Sequence, residues 1–135
     1  MHKLSLVLKL IAPAFLVVSG LHLSMGAGAD VLLGAQLSES VLSDPVLDSQ
    51  NRFYGVAFGL YGVLLYLCAT DLGRYIHVLH CLLGVFFVAG IARLLSIYLH
   101  GVPSWAVVGL LLIELVGPVV LWTLLARLDI ESAEH

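Results

Sequence analysis

Long apolar stretches alternate with short polar connectors along this chain. Four of the stretches are each about 20 residues long, at about 4–25, 53–70, 76–99 and 104–126. A helix of about 20 apolar residues crosses a hydrocarbon core of about 30 Å. Lipid offers no hydrogen-bonding partner to the backbone, and the alternation of a membrane β-strand is absent from the sequence, so each stretch is predicted to be a helix. The pattern predicts a single all-α membrane domain over residues 1–135.

The connectors between these stretches differ in length. Residues 71–75 and 100–103 are short enough to be tight turns, whereas 26–51 is a real loop. Tight turns make the second, third and fourth helices antiparallel neighbours in a four-helix bundle. Inside the loop, residues 30–37 are predicted to form a short interfacial helix, and residues 43–45 (Ser-Asp-Pro) supply turn and helix-cap chemistry before the second long helix.

The composition agrees with a membrane environment. The chain is 61% hydrophobic and 11% charged, with a mean hydropathy of +1.07, whereas soluble domains are about 45–50% apolar and about 25% charged. A formal net charge of -3 gives no reason to expect a nucleic-acid partner. Membrane lipids are the expected partners, and the run over 4–25 is predicted to be a membrane helix and not a cleaved secretion signal, because it is long enough to span.

Basic residues near the helix ends predict an orientation. Lys3, Arg74 and Arg127 fall on one side of the predicted membrane, while Arg52 and four acidic residues fall on the other. Cytoplasmic loops of membrane proteins carry the excess of lysine and arginine. Both termini are therefore predicted to be cytoplasmic, and the loop over 26–51 is predicted to be extracytoplasmic.

Besides Lys9, which lies about a turn and a half inside the first predicted helix and can snorkel to the membrane surface, two charged residues lie inside predicted membrane helices, Arg93 in the third and Glu114 in the fourth. A lone charge at membrane depth costs from about 3 to more than 10 kcal/mol, so such residues face the bundle and find partners. An ion pair between them is predicted. Pro118 follows four residues after Glu114 and removes the hydrogen bond that the Glu114 carbonyl would accept, which predicts a kink and a free acceptor there.

These residues suggest a polar site in the outer half of the membrane. The predicted cluster consists of Arg52, Tyr54, Arg93, Ser96 and Glu114. Its functional interpretation is a site for a lipid headgroup, an anion or a proton, and the excess of arginine favours an anionic or zwitterionic ligand. The alternative is an internal ion-pair network that fixes helix register and binds nothing.

Glycine recurs on one face of the second long helix, at Gly55, Gly59 and Gly62. Small residues at this spacing let two membrane helices approach closely. The stripe predicts a close helix contact and, together with the size of the chain, self-association as a homo-oligomer or assembly into a membrane complex.

A second group of polar residues, His77, His80 and Cys81, lies near the start of the third helix. Their spacing places them on one side of a helix, and imidazole and thiolate are metal ligands. They supply at most three ligands, and no recognised metal motif accompanies them, so they are weak candidates; the alternative is an interfacial pair of histidines beside a buried thiol. No metal and no cofactor is predicted, and a lipid is the expected non-protein ligand.

Four short motifs carry a resemblance to a known family. They are Asn51-Arg-Phe-Tyr-Gly55, Gly90-Ile-Ala-Arg-Leu-Leu-Ser96, Gly101-Val-Pro-Ser104 and Glu114-Leu-Val-Gly-Pro118. With them the chain resembles domain-of-unknown-function family 4345, small bacterial four-helix membrane proteins, and more loosely DoxX-type membrane proteins. The resemblance implies fold and a place in the bacterial cytoplasmic membrane, and it puts the cluster residues and Pro118 in motif positions. It implies no activity.

Three functions stay open at this point. The favoured one is a small membrane binding or accessory protein that holds a lipid or amphiphile near the polar cluster, because a bundle of this size has little interior for a catalytic chamber. The second is a quinone- or metal-linked subunit of a membrane redox enzyme. The third is a proton-coupled transporter that uses the intramembrane carboxylate. No catalytic residue is predicted, and whether the protein is an enzyme is left open.

Overall fold

Six helices make up the described part of the chain. The computed structural model describes the backbone of residues 2–133 and the side chains of residues 3–126. The helices are α1 (His2–Met25), α2 (Gly28–Leu32), α3 (Glu39–Leu42), α4 (Pro45–Thr70), α5 (Ile76–His100) and α6 (Trp105–Ala133). Residues 2–133 contain no strand, so the prediction of an all-α chain is confirmed.

The helices α1, α4, α5 and α6 are long and apolar enough to cross a membrane, with peak mean hydropathies between 1.6 and 2.3. Their number agrees with the four predicted spans. The protein is therefore an integral membrane protein with four transmembrane helices. Of the three basic residues used to predict its orientation, Arg127 has its side chain outside the described residues.

The helix α4 begins at Pro45, well before the predicted start at Phe53. The Asp44 carboxylate accepts hydrogen bonds from the backbone N–H groups of Val46 at 2.8 Å and Leu47 at 3.0 Å. An aspartate N-cap followed by proline at the first helical position is a strong helix start. Residues 48–52 are polar, so hydropathy alone does not predict the first turns of α4, although the Asp44-Pro45 cap indicates them.

The loop after α1 contains two short helices in place of the one predicted. The predicted helix over 30–37 is shorter in the structure, where α2 ends at Leu32. Gly34 adopts a φ of 92°, and its N–H donates to the Val31 carbonyl at 3.0 Å. A glycine in the left-handed region that bonds back to the last turn is a common helix terminator. Further along the loop, Glu39–Leu42 form the single-turn helix α3.

The described chain divides into two compact units. The N-terminal unit covers His2–Tyr75 and contains α1 to α4, and the C-terminal unit begins at Ile76 and contains α5 and α6. Each unit has one pair of long helices at its centre. The single domain over residues 1–135 stays a prediction.

In the N-terminal unit, α1 packs antiparallel to α4. The Ser5 hydroxyl donates to the Ala69 carbonyl at 2.5 Å near one end of the pair. Near the other end, Arg52 donates to the Leu23 carbonyl. The start of α1 therefore contacts the end of α4, and the end of α1 contacts the first part of α4, so the two helices are antiparallel. The tight-turn argument did not foresee this pair, because the loop over 26–51 joins its two helices.

The glycine stripe of α4 makes this close approach possible. A Cβ atom on Gly55 would lie 3.1 Å from both the Leu23 nitrogen and the Ser19 carbonyl oxygen, and one on Gly62 would lie 3.0 Å from the Ala12 carbonyl oxygen. The predicted close helix contact is thus with α1 of the same chain. Self-association stays a prediction that would need another surface.

In the C-terminal unit, α5 packs antiparallel to α6. Gly90 faces Leu115, since a Cβ on this glycine would lie 2.7 Å from the Leu115 Cδ2 atom. One turn earlier on α5, the Phe87 ring lies 6.4 Å from the ring of Trp122, further along α6. The connection turns at Gly101, whose φ of 94° favours glycine.

The contact at Gly55 predicts a specific stability effect. We expect Gly55→Ala to lower the free energy of unfolding by about 1–3 kcal/mol, because the added methyl group meets backbone atoms that no side-chain rotation can move. The control is Gly20→Ala on α1, where no described atom lies within 4 Å of the new Cβ. This control should be neutral or gain up to about 1 kcal/mol from helix propensity. Unfolding of the detergent-solubilised variants measures both, and equal behaviour of the two would contradict the packing.

Candidate functional site

An ion pair joins α5 and α6. The Arg93 Nε group donates to the Glu114 Oε2 atom at 2.6 Å. The Glu114 side chain is only 7% exposed, whereas that of Arg93 is 33% exposed. The predicted pair is therefore present, with a buried carboxylate and a guanidinium that reaches the surface of the unit.

Gly90 positions this pair. It lies three residues before Arg93 on α5, and a Cβ atom on it would lie 3.2 Å from the Glu114 Cβ atom. Since residues three apart share one helix face, the helices approach closely near the point where the two charged side chains face each other. A side chain at position 90 would push Glu114 away from Arg93.

Pro118 lies one turn beyond Glu114 and is fully buried. Because proline has no N–H group, the Glu114 carbonyl lacks the hydrogen bond that residue 118 would otherwise donate. The helix α6 nevertheless continues through this position to Ala133. The carboxylate therefore stands beside a turn of helix with one fewer internal hydrogen bond.

A small cleft opens next to Arg93 in the C-terminal unit, and we call it the α5–α6 cleft. Its volume is about 80 Å³, and its lining residues are Arg93, Ser96, Ile97, Gly101, Pro103, Val107 and Leu111. That volume equals two or three water molecules at about 30 Å³ each. One part of the lining is cationic and polar, and the rest is aliphatic or turn backbone, so the cleft is amphipathic.

The Arg93 guanidinium has donors to spare. Within the described residues, its single hydrogen bond is the one from Nε to Glu114. An arginine carries five N–H donors, so the four on its two Nη groups are not used by these residues. Arg93 lines the cleft together with the exposed hydroxyl of Ser96. The site can therefore receive an acceptor group from outside the protein.

Arg52, by contrast, is engaged inside the N-terminal unit. Its Nε and Nη2 groups donate to the two carboxylate oxygens of Asp48 at 2.8 and 3.2 Å, and its Nη1 group donates to the Leu23 carbonyl at 2.5 Å. Leu23 lies in the last turn of α1, where carbonyls have no helical partner. Arg52 thus ties the end of α1 to the start of α4.

The five residues of the predicted cluster are divided between the two units. Arg52 and the half-exposed Tyr54 belong to the N-terminal unit. Arg93, Ser96 and Glu114 belong to the C-terminal unit and surround the α5–α6 cleft or its ion pair. A site that joins all five stays a prediction.

Sequence reasoning missed His22, which is buried near the end of α1. Its Nδ1 atom lies 2.9 Å from the Val18 carbonyl oxygen, and because a carbonyl only accepts, this nitrogen carries the proton. The Nε2 atom faces the Asp30 carboxylate at 3.7 Å, which brings α2 against the end of α1. A histidine in an apolar run followed by an acid in the next loop was the available signal.

The weak metal candidates lie on α5, where His77 and Cys81 are exposed and His80 is partly exposed. In the described part of the chain, no three His, Cys, Asp or Glu side chains form a group that could hold a metal ion. Cys68 is buried and Cys81 is exposed, and both are free, so the expectation of a buried thiol beside the two histidines is wrong. These residues do not make a candidate site.

The comparison with known families covers nearly the whole chain. The family model described as Domain of unknown function (DUF4345) matches residues 5–125. No curated protein and no solved structure matches the chain. The looser likeness to DoxX-type proteins receives no support from these results.

The ion pair generates a prediction about stability. We expect Arg93→Ala to lower the free energy of unfolding by roughly 3 kcal/mol, because it leaves the buried Glu114 carboxylate without its partner. Glu114→Ala should cost less, since the Arg93 side chain is 33% exposed and its charge can reach water or headgroups. The double variant Arg93→Met with Glu114→Met should recover much of the loss. A double-mutant cycle in detergent measures the coupling, and additive single effects would contradict the pair.

Proposed function

This chain belongs to the DUF4345 family, and we propose that it is a membrane binding or accessory protein that holds a lipid or another amphiphile at the α5–α6 cleft. One observation carries the proposal. The Arg93 guanidinium, fixed through Nε by a buried carboxylate, has Nη donors to spare and lines a cleft that is otherwise largely aliphatic. A ligand with a polar head and an apolar body matches both properties.

The depth of the cleft fits the head of an amphiphile. Arg93 lies seven residues before the end of α5 at His100, which is about 10 Å along the helix axis. The polar interfacial layer of a bilayer adds roughly 5–8 Å on each side of a hydrocarbon core of about 30 Å. An arginine side chain that snorkels outward from this depth meets the boundary between headgroups and acyl chains.

The size of the cleft favours binding over catalysis. Sites that enclose a whole small molecule measure about 300–1,000 Å³, whereas the α5–α6 cleft measures about 80 Å³. Only the polar group of a guest fits, and its apolar part must lie along the exposed aliphatic surface of the helices. Leu94 and Leu95 on α5 and Leu112 on α6 are half exposed and supply such surface.

The proposal also includes a location. The protein would lie in a bacterial cytoplasmic membrane with both termini in the cytoplasm, as the distribution of Lys3, Arg74 and Arg127 predicts. The loop that contains α2 and α3 would then face outward. With the end of α5 at His100 on the same outer side, the cleft would open to the outer leaflet.

Cysteine accessibility tests this orientation. In a Cys81→Ser background, we expect a membrane-impermeant maleimide to label Ser40→Cys in intact cells, because Ser40 is exposed in the outward loop. Gly73→Cys, in the exposed turn before α5, should be labelled only after the membrane is opened. The reverse pattern would invert the orientation and move the cleft to the inner leaflet.

Retention of a guest tests the function itself. We expect native mass spectrometry of the gently extracted protein to show a bound lipid or other amphiphile, and Arg93→Gln to lose it because the charged donors are gone. Tyr98→Phe is the control, since Tyr98 is exposed on α5 and does not line the cleft. Identical bare protein from all three samples would leave the ion pair with a structural role and refute the proposal.

A further inference from the structure

We propose that the polar group held in the α5–α6 cleft is a phosphodiester monoanion, the phosphate of a lipid headgroup, bound by the two Nη groups of Arg93 with help from the Ser96 hydroxyl. This inference rests on the proposed function and names the chemistry of its ligand. It follows from three properties of the site, which are the shape of the available donors, the local charge and the absence of an accessible acid among the described residues of the C-terminal unit.

The geometry of the donors matches a tetrahedral oxyanion. Glu114 engages Nε of Arg93, so the end of the guanidinium that carries Nη1 and Nη2 is the edge left for a ligand. That edge presents two parallel N–H groups, which bind two oxygens of a phosphate at once. The cleft volume of about 80 Å³ admits a group of this size.

The charge of the site favours a single negative charge. Arg93 and Glu114 together are neutral, so the empty site carries no net charge into the membrane. A monoanion bound at the Nη edge interacts with the nearer guanidinium more strongly than with the farther carboxylate, since Coulomb energy falls with distance. A dianion would double the net charge that must be kept away from water. A diester therefore fits better than a phosphate monoester.

The described part of the C-terminal unit offers no accessible acid to an amine. Glu114 is the one acidic residue between Ile76 and Ala126, its side chain is 7% exposed, and its Oε2 atom is bound to Arg93. Within the described part of the C-terminal unit, a headgroup ammonium would find no accessible carboxylate. A phosphodiester without an amine, as in phosphatidylglycerol, should therefore bind at least as well as one with a choline.

Lipid titration of the delipidated full-length protein, read by native mass spectrometry, tests the inference. We expect phosphatidylglycerol to bind at least tenfold more tightly than diacylglycerol, which has the same tails and no phosphate, because charge-assisted hydrogen bonds contribute most of the difference. Phosphatidylcholine should bind equally or more weakly than phosphatidylglycerol, and phosphatidic acid, a monoester, more weakly.

Two variants separate recognition from folding. Arg93→Lys keeps a cation for Glu114 but loses the Nη fork, so the preference for phosphatidylglycerol over diacylglycerol should fall roughly tenfold. Ser96→Ala leaves the ion pair intact and should weaken phosphatidylglycerol binding by a few-fold. The matched control is Arg74→Lys, the same replacement in the turn before α5, which should leave the preference unchanged.

The outcomes distinguish this inference from the function on which it rests. Equal, Arg93-dependent binding of phosphatidylglycerol and diacylglycerol would keep the amphiphile site and refute the phosphodiester. No Arg93-dependent binding of any of these lipids would refute both. Competition by inorganic phosphate at the concentration of the lipid would show that a soluble phosphate is the ligand, and this would overturn the lipid assignment. A preference retained in Arg93→Lys would also refute the bidentate recognition.

Discussion

Hydrocarbon provides no hydrogen bonds and little screening, so each polar group of this protein within the membrane must find its partner in the protein or at the bilayer surface. The backbone meets this requirement by forming four long helices. Among the charged side chains, Glu114 meets it by pairing, because it is buried and bonded to Arg93. In the C-terminal unit, Gly90 allows the close helix approach at this pair, and the α5–α6 cleft opens next to Arg93.

The same requirement is met differently at the other end of the chain. In the N-terminal unit, Arg52 uses its three nitrogens on Asp48 and on a carbonyl of the last turn of α1. Three of its five N–H donors are therefore used in closing the helix pair, and every nitrogen of the guanidinium is engaged. Arg93 uses one nitrogen for its partner. This difference in unused donors, and not the mere presence of arginine, separates a structural arginine from one that is available to a ligand.

Close packing through glycine connects fold to site in both units. On α4, Gly55 and Gly62 bring backbone atoms of α1 within a distance that a methyl group would fill. On α5, Gly90 does the same for Glu114. Because membrane helices associate through van der Waals contact and hydrogen bonding and not through the exclusion of water, these glycines determine where two helices touch. The site lies at such a contact.

The sequence by itself determined the class of the protein, the number of its membrane helices and the residues of its ion pair. These follow from local quantities, namely the length of apolar runs and the cost of an unpaired charge in lipid. The helix cap at Asp44 and the helix end before Gly34 can also be recognised from the chemistry of nearby residues. The predicted bounds were nevertheless wrong, since they started α4 too late and made the loop helix too long.

Only the tertiary structure decided which helices pair across the long loop, that Arg52 is engaged while Arg93 keeps donors, and that His22 faces Asp30. Each of these depends on distances between residues far apart in the chain. Hydropathy and spacing along a sequence do not show which hydrogen-bond donors of a side chain are used by other residues in the folded protein. For that reason the sequence predicted one cluster for both arginines. In the structure, Arg52 is bonded within the α1–α4 pair, whereas Arg93 lines the α5–α6 cleft.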